Sequence, residues 1–386
     1  MFHVKQGSPP ALRFLDEALA GLQRRDLLRQ RPTPNESGAT SFCSNDYLAL
    51  ARRPTPPRQA GAGASRLVSG ERAEHGEVER LAAELVGTPE ALAFTSGYAA
   101  NVGTVAALAT AGDLIVSDAF NHASLIDGAR LSRARIEIVP HLDLAAIDQA
   151  LHLPRSGRAF VITESYFSMD ADAPDLTSLR RMCDAQNACL IVDEAHALGV
   201  LGPEGRGLCA QQKIQPDVLI GTFGKAFGAG GAFVAGCPSL MAWLWNRART
   251  FVFSTGLSPA VAAAAAQGIR TSMEQPELRE KVTSAGQLLR SRLTELGVAP
   301  RGFGHIIPWV VGEAAAAVQL AKLIRVQGID VLAVRPPSVP EGTARLRLTV
   351  TAAHEKADID RAVEAFRNAL GELKERRMEP PWQAGS

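Results

Sequence analysis

Short runs of contiguous apolar residues recur along the chain, at "ALAFT" (91–95), "DLIVSD" (113–118), "RIEIVP" (135–140), "AFVITE" (159–164), "CLIVDE" (189–194), "DVLIGT" (217–222) and "GAFVAG" (231–236). Contiguous, β-branched apolar positions mark strands buried on both faces, whereas half-buried strands alternate. Helical periodicity lies between most of these runs, as at 74–86, 97–110 and 175–187. The alternation predicts an α/β fold: a largely parallel, seven-stranded sheet with helices on both faces.

The flanks have a different texture. A helical pattern over 11–30 closes at the turn-rich "RPTPNESG", and a Pro/Gly-rich stretch follows at 54–63. From about residue 258 comes a long alanine-rich helical region (258–297), then strands at "HIIPWVVG" (305–312) and "ARLRLTV" (344–350) with helices at 313–327 and 355–374. We expect an N-terminal arm over 1–47, a large α/β domain over 48–272 and a smaller C-terminal α+β domain over 273–386. About ten residues at the end, including "PPWQAGS", are expected to be disordered.

Composition narrows the function. The 386 residues are 46% hydrophobic and 21% charged with a net charge of +1, which is core enough for two domains without the basic excess of a nucleic-acid binder. Cys43, Cys183, Cys189, Cys209 and Cys237 include no C-x-x-C pair, so the expectation is neither zinc nor disulfides but a reducing compartment. "MFHVKQGSPP" lacks a signal peptide's apolar core, and no apolar run reaches the ~18 residues of a membrane span. A cytoplasmic protein with no nucleic-acid or membrane partner is expected.

Ligands of open parallel sheets collect at the carboxyl ends of strands. There stand Asp193 and His196 after "CLIV", Lys225 after "DVLIGTF", "NHAS" after "DLIVSDAF", "TSGYAAN" after "ALAF" and "SYFSMD" after "AFVIT". "VDEAH" also occurs in helicases, but that reading needs an upstream phosphate loop, and the only Gly-Lys pair, Gly224-Lys225, lies downstream and lacks the rest of the motif. No G-x-G-x-x-G is present, and Asp193, Glu194 and His196 alone make no metal site. A lysine among small residues, a buried carboxylate and a Ser/Gly turn opening a helix suit pyridoxal phosphate. Its aldehyde takes a lysine as Schiff base, its ring nitrogen a carboxylate, and its phosphate a helix N-terminus.

"TFGKAFGAGGAFVAG", "DEAHALGVLGPEGRG", "CSNDYLAL", "SGYAANVGTVAAL", "NHASLIDGARLS" and "RPPSVPEGTARLRLTVTAAH" resemble, in order and spacing, the α-oxoamine synthases, a fold-type I pyridoxal-phosphate family. These enzymes join an amino acid to an acyl thioester with loss of carbon dioxide. The resemblance implies that Lys225 is the covalent anchor and general base, that Asp193 partners the ring nitrogen, that His122 stacks on the ring, and that Ser168 and His196 lie near its phenolic oxygen. It places the phosphate at Gly97, Tyr98 and Thr222, with Ser254 and Thr255 reaching from a neighbouring subunit of a homodimer. Arg347 is the first candidate for the substrate carboxylate, Arg335 and Asn45 lie near the same rim, and Glu164 supports the site indirectly. Ala49 departs from the family's usual glycine, which would strain the backbone if that position needs a positive φ.

"RPPSVPEGTARLRLTVTAAH" and "EGRG" are most similar to the branch of biotin biosynthesis that condenses L-alanine with a pimeloyl thioester, of CoA or acyl carrier protein. Glycine with acetyl- or succinyl-CoA, or serine with a long acyl chain, would use the same cofactor residues. An aminotransferase or lyase is a second class and a non-catalytic cofactor sensor a third. The third needs a DNA-binding module, for which the stretch ahead of the motifs is too short.

Overall fold

The computed structural model describes residues 14–29, 38–55 and 58–375. Residues 11–13 and 30 of the 11–30 pattern and the C-terminal tail lie outside them. The described part of that pattern is a helix over Phe14–Arg24. After it a two-residue strand, β1 (Thr40–Ser41), leads into the body.

Each of the seven apolar runs is a strand: β2 (Glu90–Phe94), β3 (Leu114–Asp118), β4 (Arg135–Val139), β5 (Ala159–Glu164), β6 (Ala188–Asp193), β7 (Val218–Thr222) and β8 (Ala232–Gly236). They form one sheet in the order β2-β8-β7-β6-β5-β3-β4. Only β8 runs antiparallel to its neighbours, so every other strand ends on the same edge. Burial on both faces explains the contiguous apolar runs. Ile115, Ile162 and Ile191 pack into a core on one face with Leu125 and Phe251, while Val116, Val161 and Val192 pack into another with Leu151 and Leu179.

Side-chain caps fix where the crossover helices start. Ser96, Asp143 and Asp175 accept from the backbone N–H three residues on, opening the helices Gly97–Leu108, Leu144–Leu151 and Leu176–Ala185. The alanine-rich region is two helices rather than one, Pro259–Glu274 and Pro276–Glu295. Gln275 between them has φ −120° and ψ 72°, because the ring of Pro276 excludes α geometry from the residue before it.

A second core carries strands β9 (Ile306–Gly312), β10 (Ile329–Asp330), β11 (Leu332–Val334) and β12 (Ala344–Thr349). Here β11-β12-β9 is an antiparallel sheet, and β1 pairs in parallel with β10. Phe42, Tyr47 and Leu48 share this core with Leu289, Trp309, Leu346 and Phe366. The segment after β1 is thereby tied to the C-terminal elements, which carries Asn45 and Tyr47 to the edge where the large sheet's strands end. Among the described residues, no helix is long and apolar enough to cross a membrane.

Candidate active site

Asp193 closes β6 and is 7% exposed. Its Oδ2 accepts from Asn101 Nδ2 at 2.7 Å and its Oδ1 from Ala195 N at 2.8 Å. No ion pair to it is present among the described residues, so this buried carboxylate is held by neutral donors and still lacks a fixed counter-cation. That is an unfavourable state unless a cation arrives with a ligand. Asn101 Nδ2 also donates to Ser124 Oγ at 2.8 Å, and that hydroxyl meets His122 Nδ1 at 2.7 Å. Asp193, Asn101, Ser124 and His122 are therefore one hydrogen-bonded row. Asn101 escaped the sequence reading, although it follows Gly97 by one helical turn and shares its face.

Lys225 lies half-buried in the turn after β7. Burial lowers its pKa to about 8, helped by Arg347 and opposed by Asp193 and Glu164. Glu164, at the end of β5, accepts from His122 N at 2.7 Å. Burial and the nearby Asp193 charge raise its pKa to about 8. Burial also lowers the His122 pKa, with Lys225 adding to the effect and Asp193 opposing it.

His196 is buried, and its Nδ1 lies 2.7 Å from the Tyr47 hydroxyl, which also meets Asn45 Oδ1 at 3.2 Å. Burial, Lys225 and Arg347 hold the imidazole well below its usual pKa, so it is neutral. Arg347, 3% exposed on β12, donates Nε to the Ser168 carbonyl at 2.7 Å and Nη2 to Asn45 Oδ1 at 3.3 Å. His305 was not anticipated. It is 1% exposed, its ring meets those of Tyr47 at 4.1 Å and Tyr166 at 5.4 Å, and burial with the Arg347 charge lowers its pKa to about 3.

The helix Gly97–Leu108 offers its free N-terminal N–H groups at the end of β2. A Cβ added to Gly97 would lie 3.8 Å from Thr222 Oγ1, so these two residues adjoin. Thr222 Oγ1 accepts from Gly224 N and donates to the Gly231 carbonyl, both at 3.1 Å. The Tyr98 ring is half exposed with its hydroxyl donated to Asp127. Ser254 and Thr255 border a small crevice with Thr95 and Arg66 of the same chain. Arg335 donates to the Asp26 carbonyl, while the loop after it lines the site. Ala49 does adopt a positive φ, 55°.

Beside His122 opens a cavity of about 640 Å³, walled by Phe120, Ile126, Phe167 and Val339, with Ser168 on its lining. An apolar slot next to a cluster of lysine, carboxylate and imidazole groups suits a substrate with an acyl chain at one end and reacting polar atoms at the other.

The family model for aminotransferases of class I and II matches residues 37–366. The chain belongs to that family. Within it, the 8-amino-7-oxononanoate synthase of Methylococcus capsulatus is 42% identical over 92% of this chain and 97% of its own length. Among solved structures, a serine palmitoyltransferase holding pyridoxal phosphate superposes with a TM-score of 0.87 at 26% identity, covering 96% of this chain and all of its own. The 8-amino-7-oxononanoate synthase of Francisella tularensis superposes at 0.73 and 25% identity, covering 88% and 99%. Family members use pyridoxal phosphate bound to a lysine, and the residues here fit that group. Asp193 is a buried carboxylate bonded to neutral donors, Lys225 has a lowered pKa, and Gly97, at the open N-terminus of its helix, adjoins Thr222.

Proposed function

We propose that this protein is an 8-amino-7-oxononanoate synthase, condensing L-alanine with a pimeloyl thioester and releasing thiol and carbon dioxide. The observation that carries the reading is the pairing of a buried carboxylate, Asp193, hydrogen-bonded to neutral donors, with a lysine whose pKa is lowered to about 8, beside an apolar cavity. The 42% identity to a synthase of that name over nearly the whole chain supports the choice of substrates.

Pyridoxal phosphate, when bound, supplies an electron sink for the substrate's Cα. Lys225 would hold it, and Gly97, Tyr98 and Thr222 would receive its phosphate, with Ser254 and Thr255 of a neighbouring subunit added in a homodimer. Asp193, oriented by Asn101, would keep its ring nitrogen protonated. His122 would pack against its ring, and Ser168 and His196 would serve its phenolic oxygen. Arg347 binds the amino acid carboxylate through its planar donor set, with Asn45 setting the angle of the guanidinium. The Lys225 amine would take the Cα proton and return one, a role that its lowered pKa suits near neutral pH. Glu164 fixes the His122 backbone from beneath.

A homodimer is part of this reading. Phe253, 73% exposed, adjoins Ser254 and Thr255, and Tyr98 is half exposed, apolar surface suited to a second copy. Five free cysteines support a reducing, cytoplasmic setting.

A second reading, serine with a long acyl chain, is favoured by one observation: the overlap with serine palmitoyltransferase exceeds that with the Francisella synthase, 0.87 against 0.73. Backbone overlap reports the fold and lobe arrangement, whereas identity also reports the pocket, so the 42% match supports the first reading. The test measures thiol release and aminoketone mass for L-alanine with pimeloyl-CoA and for L-serine with palmitoyl-CoA. Product from the first pair supports the proposal. Product from the second alone overturns its substrates.

A further inference from the structure

The cavity wall beside His122 consists of aromatic side chains on two separate loops, and one histidine joins those loops. Phe120 follows β3, Phe167 follows β5, and both line the cavity. His141, just past β4, contacts both. Its ring stacks on Phe120 with centroids 4.5 Å apart and meets Phe167 edge-on, also at 4.5 Å. His141 Nδ1 donates to Asp118 Oδ1 at 2.8 Å, and Nε2 donates to Asp172 Oδ2 at 3.2 Å.

The same two aspartates hold the aromatic residues by their backbones. Asp118 Oδ1 accepts from Phe120 N at 2.8 Å, and the Asp172 carbonyl accepts from Phe167 N at 2.9 Å. Donation from both ring nitrogens requires the imidazolium form. Burial opposes that charge, but the bonds to Asp118 and Asp172 outweigh it and raise the pKa to about 9. A histidine that only filled space would need neither carboxylate. This one closes a circuit through the ends of β3, β4 and β5, and the two phenylalanines are its outward face.

We propose that His141 is a positioning residue for the acyl chain, its bridge between Asp118 and Asp172 setting the spacing of Phe120 and Phe167 along the substrate's methylenes. The proposal rests on the acyl-thioester reading of the cavity.

The test uses His141→Gln and the milder Asp172→Asn in the cofactor-loaded enzyme, with steady-state kinetics on acyl-CoA thioesters of graded length and on L-alanine. The expected result is a KM for the best acyl thioester raised about tenfold, the scale of a lost methylene contact in an apolar pocket. The chain-length preference flattens, while kcat and the alanine KM stay near wild type. An unchanged acyl KM and length profile in both variants would overturn the proposal. So would a parallel loss in kcat and both KM values, the mark of general damage. Lengths are ranked on whichever acyl thioester the wild type accepts. A wrong functional reading then shows in the wild type, and a wrong role for His141 shows only in the variants.

Discussion

At the scale of single residues, the account rests on Lys225 and Asp193. Removing the amine in Lys225→Ala should lower kcat by at least about 10³-fold, as loss of a base and anchor together. A stopped assay for thiol release checks this, and bound cofactor should lose its lysine-linked absorbance. Asn101→Ala should be milder, because it frees one Asp193 oxygen from its 2.7 Å bond without removing the carboxylate. A drop in kcat of about tenfold with a stability loss of about 1–2 kcal/mol is expected, read by kinetics and thermal melting. Ala49→Gly should stabilise the protein by about 0.5–1 kcal/mol, since the present φ of 55° crowds a Cβ that glycine lacks; the melting temperature reports it. Lys225 and Asp193 were legible in the sequence because strand ends mark where chemistry collects. Asn101, His305 and His141 were not, since each draws its meaning from partners distant in sequence, as Asn101 does from Asp193, 92 positions on.

At the scale of elements, the seven strands were legible because burial on both faces leaves long apolar runs, and sheet order was not, because pairing is non-local. The break at Gln275 was signalled by Pro276 but masked by the alanine run ahead of it and the strong helix formers after it. The pairing of β1 with β10 left no pattern in so short a strand. The His141 bridge between three strand ends carries a pH signature. Its pKa rises from 6.5 to about 9 on folding, so its contribution is fully present below pH 6.5 and is lost as pH rises through 9. At full size that amounts to about 3 kcal/mol. Urea titrations of wild type and His141→Gln between pH 6 and 10 should converge as pH rises. A gap that stays constant with pH would remove the ionic bridge from the account.

At the scale of the whole molecule, the two lobes meet where the large sheet's strands end. Arg347 of β12 bonds the Ser168 carbonyl there, and Tyr47, rooted in the smaller core, bonds His196. The site thus needs both lobes, and in the proposed homodimer the exposed Phe253 beside Ser254 and Thr255 would meet the second copy. Light scattering on the eluting protein should give twice the 41.0 kDa of one chain, and Phe253→Glu should shift it toward a single chain with lost turnover. The central claim is that this architecture forms a carbon–carbon bond at the expense of the amino acid's carboxylate. Carboxyl-labelled L-alanine tests it most directly, supplied with and without pimeloyl-CoA while labelled carbon dioxide and free thiol are counted together. The account predicts equal amounts of the two, and neither without the thioester. Pyruvate formed from alanine, with no thiol and no labelled carbon dioxide, would contradict it and return the protein to the aminotransferases.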